Sequence, residues 1–154
     1  MQSDYLPAIA LVILIVIGSV LFFVALWYGI IYFASNAGGW TRIADKYPGP
    51  ENFSHGRFFT KETGRFGKAR YKHTLDVQVA PQGLYITSIL PPQKTHPPLL
   101  IPWSEIKGIS EQNAFGVTIT NLTIGEPRIV TIGFWNPEII KAAKPYMSNA
   151  KVMS

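Results

Sequence analysis

The chain has no cysteine, only three histidines and only nine acidic residues among 154. The first absence excludes disulfides, thiolate metal sites and a cysteine nucleophile together. The histidines, His55, His73 and His96, are dispersed and match no metal-ligand spacing. The acids are scattered, with no close carboxylate pair in sequence for acid–base work. Nucleotide-binding glycine loops are missing too: Gly64-Arg65-Phe66-Gly67-Lys68 has neither the Walker spacing nor a strand-to-helix setting. Ser54 and His55 are neighbours, but adjacency in sequence does not make a catalytic dyad. The expectation is a non-catalytic protein without cofactor or metal.

The N-terminal region lacks charge. Residues 6–33, LPAIALVILIVIGSVLFFVALWYGIIYF, carry no charged side chain. At about 1.5 Å per residue, Ala8 to Phe33 reaches roughly 39 Å, more than the ~30 Å hydrocarbon core of a bilayer. Residues 1–35 are therefore expected to be a short tail and a transmembrane helix. A cleaved signal peptide would need a basic leader and an apolar run of about 7–15 residues, and the sequence has neither. Tyr5 at one end and Trp27, Tyr28 and Tyr32 at the other, with Trp40 just beyond, suit interfacial anchors. Asp4 is the one charge before the span, whereas Arg42 and Lys46 follow it. The positive-inside bias then puts the N-terminus outside the cell membrane and the remaining domain in the cytoplasm. Ala25-x-x-x-Gly29 is a small-xxx-small spacing, and Gly18-Ser19 makes a second thin patch where another helix could seat.

Residues 36–55 read as a juxtamembrane elbow. The stretch ASNAGG, residues 34–39, is expected to end the membrane helix. Trp40, Ile43, Ala44 and Tyr47 then follow i, i+3, i+4, i+7 spacing, one face of a short helix that Pro48-Gly49-Pro50 stops. That stripe fits either the headgroup level of a membrane or packing on the domain that follows.

Residues 56–154 turn to the two-residue alternation of strands. Residues 74–79 and 84–90 form an expected hairpin about the turn Pro81-Gln82-Gly83. A proline-rich loop, PPQKTHPP, follows at 91–98. Leu99-Leu100-Ile101 resumes a strand, residues 106–110 suit another, and 117–120 pairs with 128–132 across a connection at 121–127. Asn136 can cap a last helix, with Pro137 at its first position and Glu138 at the positive end of its dipole. The fold class expected is an N-terminal transmembrane helix plus a mainly-β domain. That domain is a small barrel or roll of six or seven antiparallel strands, with one C-terminal helix capping it.

The segment "GLYITSILPPQKTHPPLLIPWSEIKGIS", with a hairpin and "NPEIIKAAKPYM" after it, resembles a bacterial pleckstrin-homology-like (PH-like) domain. The strand leading into the corner Ile101-Pro102-Trp103-Ser104-Glu105-Ile106, the later hairpin and the final helix carry the likeness, over roughly residues 56–148. The resemblance implies a binding module on a single-pass anchor. Fold likeness does not assign a ligand.

The formal charge is +5, and almost all of it follows the apolar span. It is densest in RFFTKETGRFGKARYK, residues 57–72, where Arg57, Lys61, Arg65, Lys68, Arg70 and Lys72 face one acid, Glu62. Such a run is a solvated segment, a contact for anionic phospholipid or a contact for an acidic protein surface. Nucleic acid is disfavoured, because no recognition motif accompanies the charge. The expected function is that of an accessory or scaffolding subunit of a multisubunit membrane complex. The alternatives are an anchored module for anionic phospholipid, or an enzyme of unrecognised type.

Overall fold

A computed structural model describes residues 5–91, 93–148 and 150–152. Asp4, on which half of the orientation argument rests, lies outside the described residues, as does Pro92 of the proline-rich loop. The chain divides into two compact units, residues 1–33 and 34–154.

The first unit is helical. Helix α1 (Tyr5–Gly38) is 34 residues long and starts here. Among the described residues it is the one helix long and apolar enough to cross a membrane. From Tyr5 to Ile30 its Leu, Ile, Val and Phe side chains stand exposed all round, with nothing among the described residues covering them, whereas Ile31 is buried. Tyr5, Trp27, Tyr28 and Tyr32 are exposed near its two ends. Gly18 and Gly29 have open space where a side chain would be.

The second unit opens with the end of α1. The helix runs on to Gly38, past the expected stop at residue 34. Tertiary contacts explain the extension. The Ser35 hydroxyl donates to the Thr95 carbonyl at 2.6 Å, and Gly38 lies so close to Phe66 and Ala69 that a methyl group there would collide. The chain breaks instead at Gly39, whose φ of 81° few side chains tolerate. Helix α2 (Trp40–Lys46) follows, with Trp40, Ile43 and Ala44 buried.

Eight strands then form one curled half-barrel sheet. They are β1 (Arg57–Phe66), β2 (Ala69–Ala80), β3 (Gly83–Ser88), β4 (Leu99–Ile101), β5 (Ile106–Ala114), β6 (Val117–Ile124), β7 (Val130–Phe134) and β8 (Lys151–Val152). Their order is β4-β3-β2-β1-β7-β6-β5-β8, antiparallel throughout except for β5 with β8. Helix α3 (Pro137–Ala143) comes between β7 and β8 and packs against β2. Its start matches expectation: the Asn136 side chain accepts the Glu138 N–H at 3.0 Å, and Pro137 opens the first turn.

The concave side holds the core. Phe66, Leu75, Val77, Leu84, Ile86, Ile101, Leu122, Ile132 and Phe134 alternate inward and meet Trp40, Ile43 and Ile139. The Ile101–Ile106 corner is braced from three sides. The Trp103 indole N–H donates to the Ala80 carbonyl at 2.8 Å, its ring stacks on Tyr146, and Glu105 accepts from the Tyr47 hydroxyl. Burial and the neighbouring carboxylate push the Tyr47 phenol up to about 12.

Several boundaries differ from the sequence expectation: the strand expected at 128–132 is Val130–Phe134, and the one expected at 84–90 ends at Ser88. Residues 121–124, expected in a connection, continue β6, and β5 runs four residues past 110. Strand β8 was not expected at all.

Candidate binding face

The basic stretch 57–72 is not a loop. It is the β1–β2 hairpin, turning at Gly67-Lys68. Pairing of Arg65 with Arg70 sets the register of its tip. Phe66 and Tyr71 point into the core, so Arg65 and Arg70, one residue away on each strand, point to the convex side. Two guanidinium groups thus stand directly opposite each other, an arrangement that costs stability unless other partners hold them.

Both have partners, and neither partner is an acid. Arg65 Nη2 donates to Asn121 Oδ1 at 3.2 Å, across the intervening β7. Gly133 lies between them on β7 because nothing larger fits: a methyl group there would stand 2.7 Å from Asn121 Oδ1. The Arg70 guanidinium lies 5.1 Å from the centre of the Trp135 ring, within cation–π range. Lys68 in the turn and Lys72 two residues past Arg70 are exposed. Among the described residues no carboxylate lies within 4 Å of the charged nitrogens of Arg65, Lys68, Arg70 or Lys72.

The other two cations of the stretch lie apart from this cluster. Arg57 is at the far end of β1, 3.5 Å from Glu138 at the start of α3 and 5.2 Å from the Phe59 ring. Lys141 and Arg57 together hold the Glu138 carboxyl below its ordinary range, with the Lys141 hydrogen bond at 2.7 Å the larger cause. Lys61 stands in a bulge with φ of 54°, its backbone N–H held by Asp76 Oδ1 at 3.0 Å. Six cations in sequence become one cluster of four and two separate groups.

Trp40 requires a correction. Expected as an interfacial anchor, it is fully buried in the second unit. Its ring packs on Phe66 at 4.5 Å, His96 at 5.1 Å and Tyr71 at 5.5 Å, and its indole N–H donates to the Pro97 carbonyl at 3.0 Å. Of the two readings of the Trp40–Tyr47 stripe, packing on the domain is the one the structure shows. Gly18, Ala25 and Gly29 are about 20–40° apart around α1 by helical spacing, so they share one stripe of the helix.

Sequence reading missed a buried polar pair. His96 and Tyr71 face each other at 2.9 Å (Nε2 to Oη), and the other ring nitrogen of His96 meets the Thr95 hydroxyl at 2.9 Å. Burial pushes the imidazole down to about 4 and the Tyr71 phenol upward. His96 lines a cleft of about 880 Å³ together with Glu51, Asp76, Ser88 and Lys94. Both of its nitrogens are engaged, and among the described residues no three His, Cys, Asp or Glu side chains gather as a metal site. Trp135 was also missed. Only the register of β7 against β1 places it beside Arg70.

No protein-family model matches the sequence, and no curated protein matches it.

Proposed function

We propose that this chain is a single-pass membrane protein of non-catalytic type, an accessory subunit whose β domain binds an acidic surface of a neighbouring membrane-protein subunit. One observation carries the reading. Arg65, Arg70 and Lys72 lie on the convex side of the β1–β2 hairpin and Lys68 in its turn, none with a carboxylate partner among the described residues, and Arg70 lies beside Trp135. Arginine and tryptophan are the residue types that most often dominate interface energetics. Like charges held on one hairpin repel, and a surface of opposite sign offsets that cost and steers association. Helix α1, exposed on all sides from Tyr5 to Ile30, serves as the anchor, and its Gly18–Ala25–Gly29 stripe suits close approach of a second helix. The charge asymmetry about the span supports a domain on the cytoplasmic side of a bacterial cell membrane. The order of the first seven strands, followed by α3, supports the PH-like reading of the domain.

The test is purification of the tagged chain from its native membranes in mild detergent, with bound proteins identified by mass spectrometry. Stoichiometric membrane subunits that survive moderate salt are the expected result, and R65E/K68E/R70E should release them. A lone monomer overturns the reading.

A second reading, contact with anionic phospholipid, has its own observation. The Gly67-Lys68 turn lies against Gly38: a methyl group on Gly67 would stand 3.0 Å from the Gly38 carbonyl oxygen. Gly38 is five residues beyond Phe33, at most about 18 Å of chain. Lys68 is therefore tethered near any headgroup layer that the apolar span reaches, and each such cation contributes about 1 kcal/mol at an anionic surface. Full-length chain in nanodiscs separates the readings. Protection of Lys68 and Lys72 from acetylation in phosphatidylglycerol but not phosphatidylcholine favours lipid, and equal reactivity in both removes it.

A further inference from the structure

The tip of the β5–β6 hairpin carries a residue that its own turn disfavours. Ala114 pairs with Val117, so two residues, Phe115 and Gly116, make the connection. Both have positive φ, 53° and 78°, the signature of a type I′ turn. That turn favours Asn-Gly, because asparagine tolerates the left-handed region and larger side chains do not. Here a phenylalanine occupies the strained position, and its ring is fully exposed at 107%. Val117 beside it is 44% exposed. A strained backbone and a bare aromatic ring at one point both oppose stability, and such positions gather where a protein meets a ligand.

The hairpin also stands free of the sheet. Strand β7 pairs β6 only from Thr120 onward, and β8 pairs β5 only at Gly108 and Ile109. Among the described residues, the pairs Gln112–Ile119, Asn113–Thr118 and Ala114–Val117 therefore have no further strand beside them. A hydrogen bond of 2.7 Å from Thr118 Oγ1 to Asn113 Oδ1 ties the two strands just below the tip.

Two features identify the occupant. Residues 111–120 hold no Lys or Arg and one acid, Glu111, whereas elements that insert into lipid surfaces are rich in cations. The exposed apolar surface is also one ring and one flanking valine, enough to fill a pocket and too little to form a face-to-face interface. We infer that Phe115 is an anchor that inserts into an apolar pocket of a partner protein, with a basic group at the pocket rim facing Glu111. This deepens the accessory-subunit reading and rests on it.

The test uses the full chain in its native membranes. A photoreactive benzoyl-phenylalanine at position 115 should give one discrete adduct with another protein, the same one that co-purifies stoichiometrically. Phe115→Asn should lower recovery of that protein at least tenfold while the melting temperature stays level or rises. Phe115→Leu should keep most of the recovery. An adduct with phospholipid, an adduct at twice the chain mass, or no adduct overturns the assignment. So does a partner whose recovery ignores Phe115→Asn, although the accessory-subunit reading then stands. A chain that co-purifies with nothing overturns both.

Discussion

The β1–β2 hairpin has β7 beside its tip at Gly64–Phe66 and β3 beside β2 from Leu75 onward, and its turn rests on Gly38. The β5–β6 hairpin ends with neither flank covered and with no packing at its turn. Their chemistry differs in the same way. The first places glycine at a left-handed turn position and surrounds it with cations, each guanidinium at its tip held by an amide or a ring. The second places phenylalanine at a left-handed position and surrounds it with neutral side chains. This hairpin can hold repelling charges in place because β7 and the packing of its turn on Gly38 fix the backbone of its tip. A free ribbon cannot, and two-stranded ribbons are marginal by themselves. Charge sits where the scaffold is rigid, and a single apolar anchor sits where it projects.

The largest effect that would break this contrast lies at the packed end. Trp40 joins the entering segment to the hairpin through Phe66 and Tyr71. Trp40→Ala should destabilise the domain by about 3–5 kcal/mol, the range for a deleted buried aromatic. Urea unfolding of the full chain in detergent micelles, followed by tryptophan fluorescence, measures it. A loss below about 1 kcal/mol would mean that the 34–47 segment is not part of the fold, and the rigidity of the β1–β2 end would need another source.

The next effect is one of pH, at the same end. The folded His96 imidazole is held near 4, below the usual value of about 6.5 in an unfolded chain. Between those values the unfolded chain binds a proton that the folded chain does not. Stability contributed by His96 is thus complete above about pH 6.5 and is lost as pH falls toward 4. His96→Gln should flatten the stability profile across that window relative to the unaltered chain. Identical slopes for the two would show that His96 is solvated.

How far the sequence foretold these regions follows from what each depends on. The span of α1, the 74–90 hairpin and the Asn136 cap rest on local composition and periodicity, and all were legible. The overrun of α1 to Gly38 was not, because it depends on Thr95 and Ala69, far along the chain. Asn121 reads as a turn residue until Arg65 is found above it, so β6 was drawn too short. Six cations at 57–72 were visible as a count. Their division into four, one and one depends on the Gly67-Lys68 turn, on the bulge at Lys61 and on the contact with α3. Trp135 gave no signal in its own neighbourhood, since only strand register brings it to Arg70. Nor did the sequence mark Phe115, because strain appears only once the turn length is known.

A smaller effect sharpens the account of the basic face. Gly133→Ala adds a methyl group 2.7 Å from Asn121 Oδ1 and 3.2 Å from Ile119 Cγ2. The Asn121 side chain must move, and the Arg65 hydrogen bond goes with it. A loss of about 1–2 kcal/mol is expected. With Asn121→Ala as background, the same methyl should cost less than half as much, since the group it strikes is gone. Equal costs in the two backgrounds would show that the strand backbone, rather than the Arg65–Asn121 contact, sets the tolerance at Gly133.

The smallest expected change has the opposite sign. Phe115→Asn places the favoured residue in a type I′ turn and removes an exposed ring that gains nothing from the fold. It should stabilise the chain by a few tenths to about 1 kcal/mol. A control separates relief of strain from loss of the ring. Phe115→Ala removes the ring but keeps a side chain that is poor at positive φ, so it should stabilise less than Phe115→Asn. If both raise stability equally, backbone strain at 115 is not the operative term. If both lower it, the ring is packed in solution and the β5–β6 tip is not free, which would erase the contrast between the two hairpins.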